Sequence, residues 1–191
     1  MKTFNRSKSA FTMLEMIFVI VVISIIASLA IPRMDRDLRQ EAKTHIISAI
    51  RHTQHLALMD DRRDPFDPTW QSKLWHITFA SDGSNYTISS GSNFAVDPTD
   101  GKLLDATATG SKSSLIGKKY GINGVTASGG CSEPLIAYDN LGRVYDSITS
   151  TTPDYANYIT SDCIVTISFA SSDISDLVIK VSTETGTIRE D

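Results

Sequence analysis

Sequence patterns that carry enzymatic chemistry are missing from this chain. There is no GxSxG element, and the abundant Ser and Thr residues form no convincing Ser-His-Asp set. The segment Gly117-Lys118-Lys119 lacks the spacing of a phosphate-binding loop. We therefore predict that the protein is not an enzyme.

Cysteine is scarce, since the 191 residues include only Cys131 and Cys163. Neither belongs to a CxxC pair or has a histidine close in sequence, which argues against a cysteine-ligated metal site. If this part of the chain lies outside the cytoplasm, oxidation is permitted and we expect the two residues to form a disulfide. The alternative is a pair of free, buried thiols.

Charge is distributed unevenly along the chain. The first ten residues are basic and contain no acid, whereas residues 60–191 contain 18 acidic and 10 basic residues. An acidic region of this size repels phosphate backbones, which argues against nucleic acid as the main partner. The basic cluster of Lys112, Lys118 and Lys119 is expected to lie in a solvated loop, with DNA contact as the alternative.

Residues 11–31 form a long apolar run in which Glu15 is the only charged side chain. As an α-helix, this run would span about 30 Å, which matches the hydrocarbon core of a bilayer. It is too long for the apolar region of a signal peptide, and the basic residues before it favour a cytoplasmic N-terminus. We therefore predict a single transmembrane helix.

Glu15 is costly in such a helix, because a carboxylate in lipid needs a partner or access to water. The residues alone leave two explanations open. Either Glu15 lies near enough to the cytoplasmic interface to reach water, or it pairs with a cation from another subunit.

The segment KSAFTMLEMIFVIVVISIIASLAIP resembles the N-terminal signature of type IV pilins and type II secretion pseudopilins. The resemblance implies that prepilin peptidase cuts between Ala10 and Phe11, removes residues 1–10 as a leader, and methylates the new amino group of Phe11. It also implies that Glu15 neutralises the N-terminal amine of a neighbouring subunit during assembly. The family strongly prefers Gly before the cut, so Ala10 departs from its pattern.

The same resemblance sets the expected location and partners. We expect a single-pass inner-membrane protein with a cytoplasmic N-terminus and a periplasmic head, incorporated in a periplasmic or surface filament. Its expected partners are prepilin peptidase, other pilin or pseudopilin subunits, the membrane and the inner-membrane assembly platform.

An amphipathic helix is predicted to follow over residues 32–59. Pro32 lacks an amide N–H, so a kink or local break is expected there, at a position where the family commonly has a proline. Asp-Pro pairs beyond residue 59 predict the helix end. The apolar residues recur at spacings of three and four: Leu38, Ala42, Ile46, Ala49, Ile50, Leu56 and Ala57. Three histidines on this helix are expected to be half-buried rather than metal ligands: His45, His52 and His55.

The remainder, residues 60–191, reads as an antiparallel β-rich head, so the predicted fold class is α+β. Residues 91–132 are rich in Gly, Ser, Thr and Asp, and no firm strand is predicted there. Residues 136–145, IAYDNLGRVY, resemble an element of minor pseudopilins of the H type, whose heads are similar to β-sandwiches. The predicted strands cover residues 74–80, 85–90, 134–138, 143–146, 163–170, 177–182 and 187–189.

No cofactor is expected, and calcium is the one weak candidate. Asp97, Asp100 and Asp105, with Gly101, suggest a calcium loop, and the resemblance adds weight because major pseudopilins bind calcium in a head loop. The spacing does not fit an EF-hand, so solvated turn acids are the default interpretation.

The sequence therefore predicts a structural subunit, a minor pseudopilin of a type II secretion pseudopilus or a related type IV filament. Two alternatives belong to other classes. One is a minor pilin for DNA uptake, whose head binds nucleic acid through Lys118 and Lys119. The other is a signal-anchored periplasmic protein that never assembles.

Overall fold

The computed structural model describes residues 12–148 and 157–191, apart from the side chains of residues 29–36. The chain divides into two compact units, Met1–Asp37 and Leu38–Asp191. The predicted leader, residues 1–10, lies outside the described residues.

The first element is a long helix, α1, over Met13–Met59. Its end agrees with the prediction, because the Asp60 N–H donates to the Ala57 carbonyl at 3.3 Å and the next residues leave the helix. The helical backbone extends through Pro32, so the predicted local break does not occur. The kink expected at Pro32 stays a prediction.

The described residues of the second unit form two antiparallel sheets and three short helical segments, the first of which is a single turn over Trp70–Lys73. The first sheet has the order β3-β2-β1-β5-β6 and the second β4-β7-β8-β9, numbered along the chain. The first sheet comprises β1 (Trp75–Phe79), β2 (Tyr86–Ser90), β3 (Asn93–Phe94), β5 (Leu135–Tyr138) and β6 (Val144–Tyr145). The second comprises β4 (Ile122–Gly129), β7 (Cys163–Phe169), β8 (Leu177–Val181) and β9 (Ile188–Glu190).

Each of the seven predicted strands corresponds to an observed strand, with ends that agree to within one or two residues. No firm strand is predicted for residues 91–132, but this region contains β3 and the eight-residue β4. It also contains a 3₁₀ helix over Lys112–Ser114 and a short helix, α2, over Ile116–Tyr120. Glycine and small polar residues conceal β4 in the sequence, since its stability comes from pairing with β7 rather than from intrinsic propensity.

One continuous apolar core joins α1 to both sheets of the second unit. Ala42, Ile46 and Ile50 of α1 are fully buried in the same cluster as side chains of β1 and β7. Along β7 the residues alternate between buried and half-buried, as a sheet with one apolar face requires. The predicted amphipathic stripe is therefore the face of α1 that this core buries.

Residues 136–145 form the hairpin of β5 and β6. The buried Asp139 organises its turn: one carboxylate oxygen accepts the N–H groups of Leu141 and Arg143, at 3.0 and 2.9 Å. The other oxygen accepts the Arg143 guanidinium at 2.7 Å. Gly142 has φ of +79°, a conformation that glycine adopts without steric cost.

Cys131 and Cys163 form the expected disulfide. Cys131 follows β4 and Cys163 opens β7, and both residues are buried. The bond therefore fixes the segment that leaves the second sheet for β5 of the first sheet, and it closes a loop that spans 32 positions in the sequence.

We predict that replacing both cysteines by serine lowers the free energy of unfolding by about 3–4 kcal/mol, because the unfolded chain regains the loop entropy that the bond removes. Urea denaturation of the full chain in detergent measures the change. The double variant is the right comparison, since a single replacement leaves a free thiol. A loss below about 1 kcal/mol would contradict the prediction.

Candidate assembly site and helix–head interface

Glu15 lies in the first turn of α1, where Thr12 caps the helix. The Glu15 N–H donates to the Thr12 hydroxyl at 3.3 Å and to the Thr12 carbonyl at 3.1 Å. Thr12 and Glu15 have the spacing of a capping box, in which the acid stands at the third helical position. The T-x-x-E pattern at these positions is the sequence signal for such a cap.

The Glu15 side chain is exposed, and none of the described side chains forms an ion pair with it. A carboxylate at a helix N-terminus is favourably placed toward the positive end of the helix dipole. Glu15 is therefore available to a cation from outside these residues. Ala10 and Phe11, the predicted cleavage site, lie outside the described residues, so their cleavage and methylation stay predictions.

Residues 13–28 of α1 are exposed on every face, although most of them are apolar. Ser24 and Ser28 turn their hydroxyls back to helix carbonyls, Ile20 O and Ile25 O, both at 2.8 Å. These bonds satisfy the two hydroxyls within the helix, so the surface that residues 13–28 offer to a neighbour is almost wholly apolar. An apolar surface of this extent is typical of a segment that another molecule or a lipid phase covers.

None of the helices in the described part of the chain has the length and apolar character needed to cross a membrane. The transmembrane span over residues 11–31 therefore stays a prediction.

In the second unit, charged residues of α1 hold the C-terminal strand. The Glu190 carboxylate of β9 accepts Arg39 at 2.8 Å and Lys43 at 2.7 Å. Hydrogen bonds from Lys43 and Arg39 lower the pKa of Glu190 below its ordinary value. Arg39 also donates to the Ser175 carbonyl at 3.1 Å. No local pattern predicts this contact, because residues 39 and 190 are 151 positions apart.

The three α1 histidines have different environments. His45 and His52 are half-buried and, with Asp97 and Leu104, line a cavity of about 80 Å³, whereas His55 is exposed. The His45 ring packs edge-on against Tyr86, with ring centroids 6.0 Å apart. Burial and the nearby Lys119 lower the pKa of His45, although Asp97 and Glu41 act in the opposite direction.

Asp97 is the polar centre of the loop after β3 and is only 4% exposed. Its carboxylate accepts the Ser111 hydroxyl at 2.6 Å, the Ser113 hydroxyl, and the Thr99 hydroxyl at 2.7 Å. Burial opposes ionisation of Asp97, but these hydrogen bonds outweigh it and hold the pKa of its carboxyl below the ordinary range. Asp97 therefore ties residues 97–99 to the 3₁₀ helix.

The three calcium candidates do not converge on one point. Asp100 accepts the Lys102 N–H at 3.0 Å and Asp105 accepts the Thr107 N–H at 3.0 Å, so each carboxylate caps its own turn, as that of Asp97 does. Within residues 12–148 and 157–191, no group of three His, Cys, Asp or Glu side chains could hold a metal ion. Calcium binding stays a prediction of the sequence.

The basic cluster lies on the 3₁₀ helix and α2 rather than in an irregular loop. Lys112, Lys118 and Lys119 are exposed and line one depression with the half-buried Leu115. Lys119 reaches the Glu41 carboxylate at 3.3 Å and lies 4.8 Å from the centre of the Tyr120 ring. The three lysines are solvated, as expected. They lie on helical segments, so the expectation of a loop is wrong.

Comparison with known proteins identifies one matching segment. Residues 5–31 match the family described as the prokaryotic N-terminal methylation motif. No curated protein and no solved structure matches the chain. The match covers the capped first turn with Glu15 and the exposed apolar residues of α1, and it does not extend to the second unit.

We predict that the head loses stability as the pH falls from about 7 toward 5. Burial lowers the pKa of both His45 and His76 below the 6.5 of an unfolded chain. The unfolded state therefore takes up protons first, and the stability that is present above pH 6.5 is lost as the pH falls toward the folded-state pKa values. Urea unfolding at pH 7.5 and 5.5 measures the difference.

The matched variants for this prediction are His45→Gln and His55→Gln. Glutamine does not titrate, so His45→Gln should reduce the loss of stability between the two pH values. His55 is exposed, and His55→Gln should leave the loss unchanged. An equal loss of stability in the wild type and in His45→Gln would refute the assignment to His45.

Proposed function

We propose that this protein is a pilin-like structural subunit, a minor pseudopilin of a type II secretion pseudopilus or a related type IV filament. The N-terminal methylation motif at residues 5–31 carries the proposal, because it supports a type IV pilin-like family and processing by prepilin peptidase. The leader of residues 1–10 is cut between Ala10 and Phe11, and the residues from 11 onward anchor the chain in the inner membrane until it assembles.

The exposed apolar surface of residues 13–28 supports assembly. Such a surface is stable in a lipid phase or against the same segment of neighbouring subunits, so the chain can pass from membrane to filament without exposing it to water. Apolar packing alone does not set the register of one helix on another, since it is similar at many offsets.

Glu15 supplies that register. Its carboxylate is exposed and has no ion-pair partner among the described residues, and it pairs with the N-terminal amine of the adjacent subunit. A buried pair of this kind discriminates strongly between offsets, because removing one partner leaves an uncompensated charge at a cost of about 3–5 kcal/mol. The amine belongs to Phe11 once the leader has been removed.

We expect Glu15→Ala to reduce the fraction of protein in sedimentable filaments by about 100-fold, the equivalent of about 3 kcal/mol, with cleavage of the leader intact. Sedimentation of sheared filaments and immunoblotting measure this fraction. If Glu15→Ala assembles as well as the wild type, the protein is an anchored subunit that does not polymerise through Glu15, and the proposal fails.

Glu15→Gln separates the charge from the helix cap. Glutamine is close in size to glutamate and also suits the third position of a capped helix, but it cannot neutralise an amine. The proposal predicts that Glu15→Gln is as defective as Glu15→Ala, while Thr12→Val, which removes the capping hydroxyl, assembles normally. Normal assembly of Glu15→Gln would instead mean that the charge of Glu15 does not set the register.

A further inference from the structure

Phe66 is an aromatic side chain that the fold holds out into solvent. Its ring is 95% exposed, at the tip of a turn between α1 and β1. The Phe66 N–H donates to the Asp64 carboxylate at 2.9 Å, and the Asp67 N–H donates to the Asp64 carbonyl at 3.1 Å. We refer to residues 64–67 as the Phe66 turn.

The base of the Phe66 turn is fixed as well. The Asp67 carboxylate accepts the Thr69 hydroxyl at 2.7 Å and the Lys73 ammonium. Hydrogen bonds from Lys73 and Thr69 lower the pKa of Asp67 to about 2, so the carboxylate stays ionised and keeps these partners at any physiological pH. A ring presented on a fixed turn loses little conformational freedom when it binds, which is typical of an anchor residue at an interface.

A depression that fits such an anchor lies elsewhere on the second unit. We refer to Lys112, Leu115, Lys118 and Lys119 as the basic pocket, whose volume is about 230 Å³. This is below the roughly 300–1,000 Å³ of pockets that enclose a whole small-molecule ligand, so a single side chain is the more suitable occupant. Leu115 offers an apolar contact between the three lysines.

The basic pocket has unneutralised charge. Lys119 is paired with Glu41, but the side chains of Lys112 and Lys118 make no hydrogen bond or ion pair within the described part of the chain. Several other cations of the head have acidic partners, such as Lys180 with Asp162 and Arg143 with Asp139. The pocket is therefore complementary to an apolar group that carries negative charge beside it.

The Phe66 turn has this chemistry. Its aromatic ring is flanked by Asp64 and Asp67, and the connecting segment 60–67 contains four Asp and two Arg residues. One of the arginines, Arg62, is already paired with Asp60 at 2.6 Å. The head as a whole is acidic. The basic pocket of one copy therefore attracts an acidic surface of another copy, such as the Phe66 turn.

The two features lie at opposite ends of the second unit, so one chain cannot join them. Lys119 pairs with Glu41, about 27 Å before the end of α1 at Met59, given 1.5 Å per helical residue. Gly117 of α2 donates its N–H to Ser84 at the turn after β1, at 3.1 Å. The Phe66 turn instead lies near the start of β1, because Asp67 is paired with Lys73, two residues before that strand begins.

We propose that the Phe66 turn of one copy binds in the basic pocket of a second copy, with the Phe66 ring on Leu115 and the Asp64 carboxylate between Lys112 and Lys118. Because the two surfaces differ and lie at opposite ends, the contact is head-to-tail and repeats along a row of subunits. It rests on the assembly proposed above and adds a contact between heads to the contact between helices.

Site-specific cross-linking of full-length chains in membranes tests the contact. The variant Pro65→Cys with Ala108→Cys carries the only free thiols, because Cys131 and Cys163 are bonded to each other, and Ala108 is an exposed residue four positions before Lys112. A short bis-maleimide should yield a ladder of dimers, trimers and larger species. Adding Phe66→Ala should lower the cross-linking rate by about tenfold or more, as loss of an anchor residue does. Leu141→Ala, which removes another exposed side chain on a turn, should leave the rate unchanged.

The outcomes separate this contact from the proposed function. If no ladder forms in membranes whose sedimentable filaments depend on Glu15, the head contact is overturned and the proposed function stands. A Phe66-dependent ladder without Glu15-dependent filaments supports the contact and overturns the function. If the ladder is absent and Lys118→Ala abolishes binding of a short DNA duplex at low salt, the basic pocket takes nucleic acid and the contact is also overturned.

Discussion

Burial of one stripe of α1 is the interaction that organises the head. Ala42, Ile46 and Ile50 are fully buried in a core that also contains residues of both sheets. Neither sheet could cover its apolar face alone, and the short strands β3, β6 and β9 have few backbone bonds of their own. The disulfide, the Glu190 contacts and the Asp97 network all secure segments around this core.

The same helix has the opposite character before the head. Residues 13–28 are apolar but exposed, so the stability of this segment depends on what surrounds the chain rather than on its own fold. This segment begins with a turn that is capped by Thr12 and that contains the exposed Glu15. The chain thus combines a head that has its own buried core with a segment whose apolar side chains are exposed, and this contrast is the physical basis of the proposed role.

Local patterns in the sequence predict most of the fold. The three- and four-residue spacing of Ala42 and Ile46 identifies the buried face of α1, and the alternation in Cys163–Phe169 identifies β7. Contacts between distant residues leave no such pattern, which is why Arg39 with Glu190 and Asp97 with Ser111 could not be predicted. The strand β4 was missed because its Gly and Ser residues favour turns, and pairing with β7 overrides that preference.

The central claim is that this chain is processed as a pilin-like subunit. The mass of the N-terminal peptide, from protein recovered from membranes with and without active prepilin peptidase, tests it most directly. If prepilin peptidase processes the chain, the mature protein begins with N-methylated Phe11 when the peptidase is active and keeps its leader when it is not. Ala10→Gly, which restores the residue that the family prefers, is the matched control for cleavage efficiency. If residues 1–10 stay attached in both samples, and the Ala10→Gly variant keeps them as well, prepilin peptidase does not process this chain.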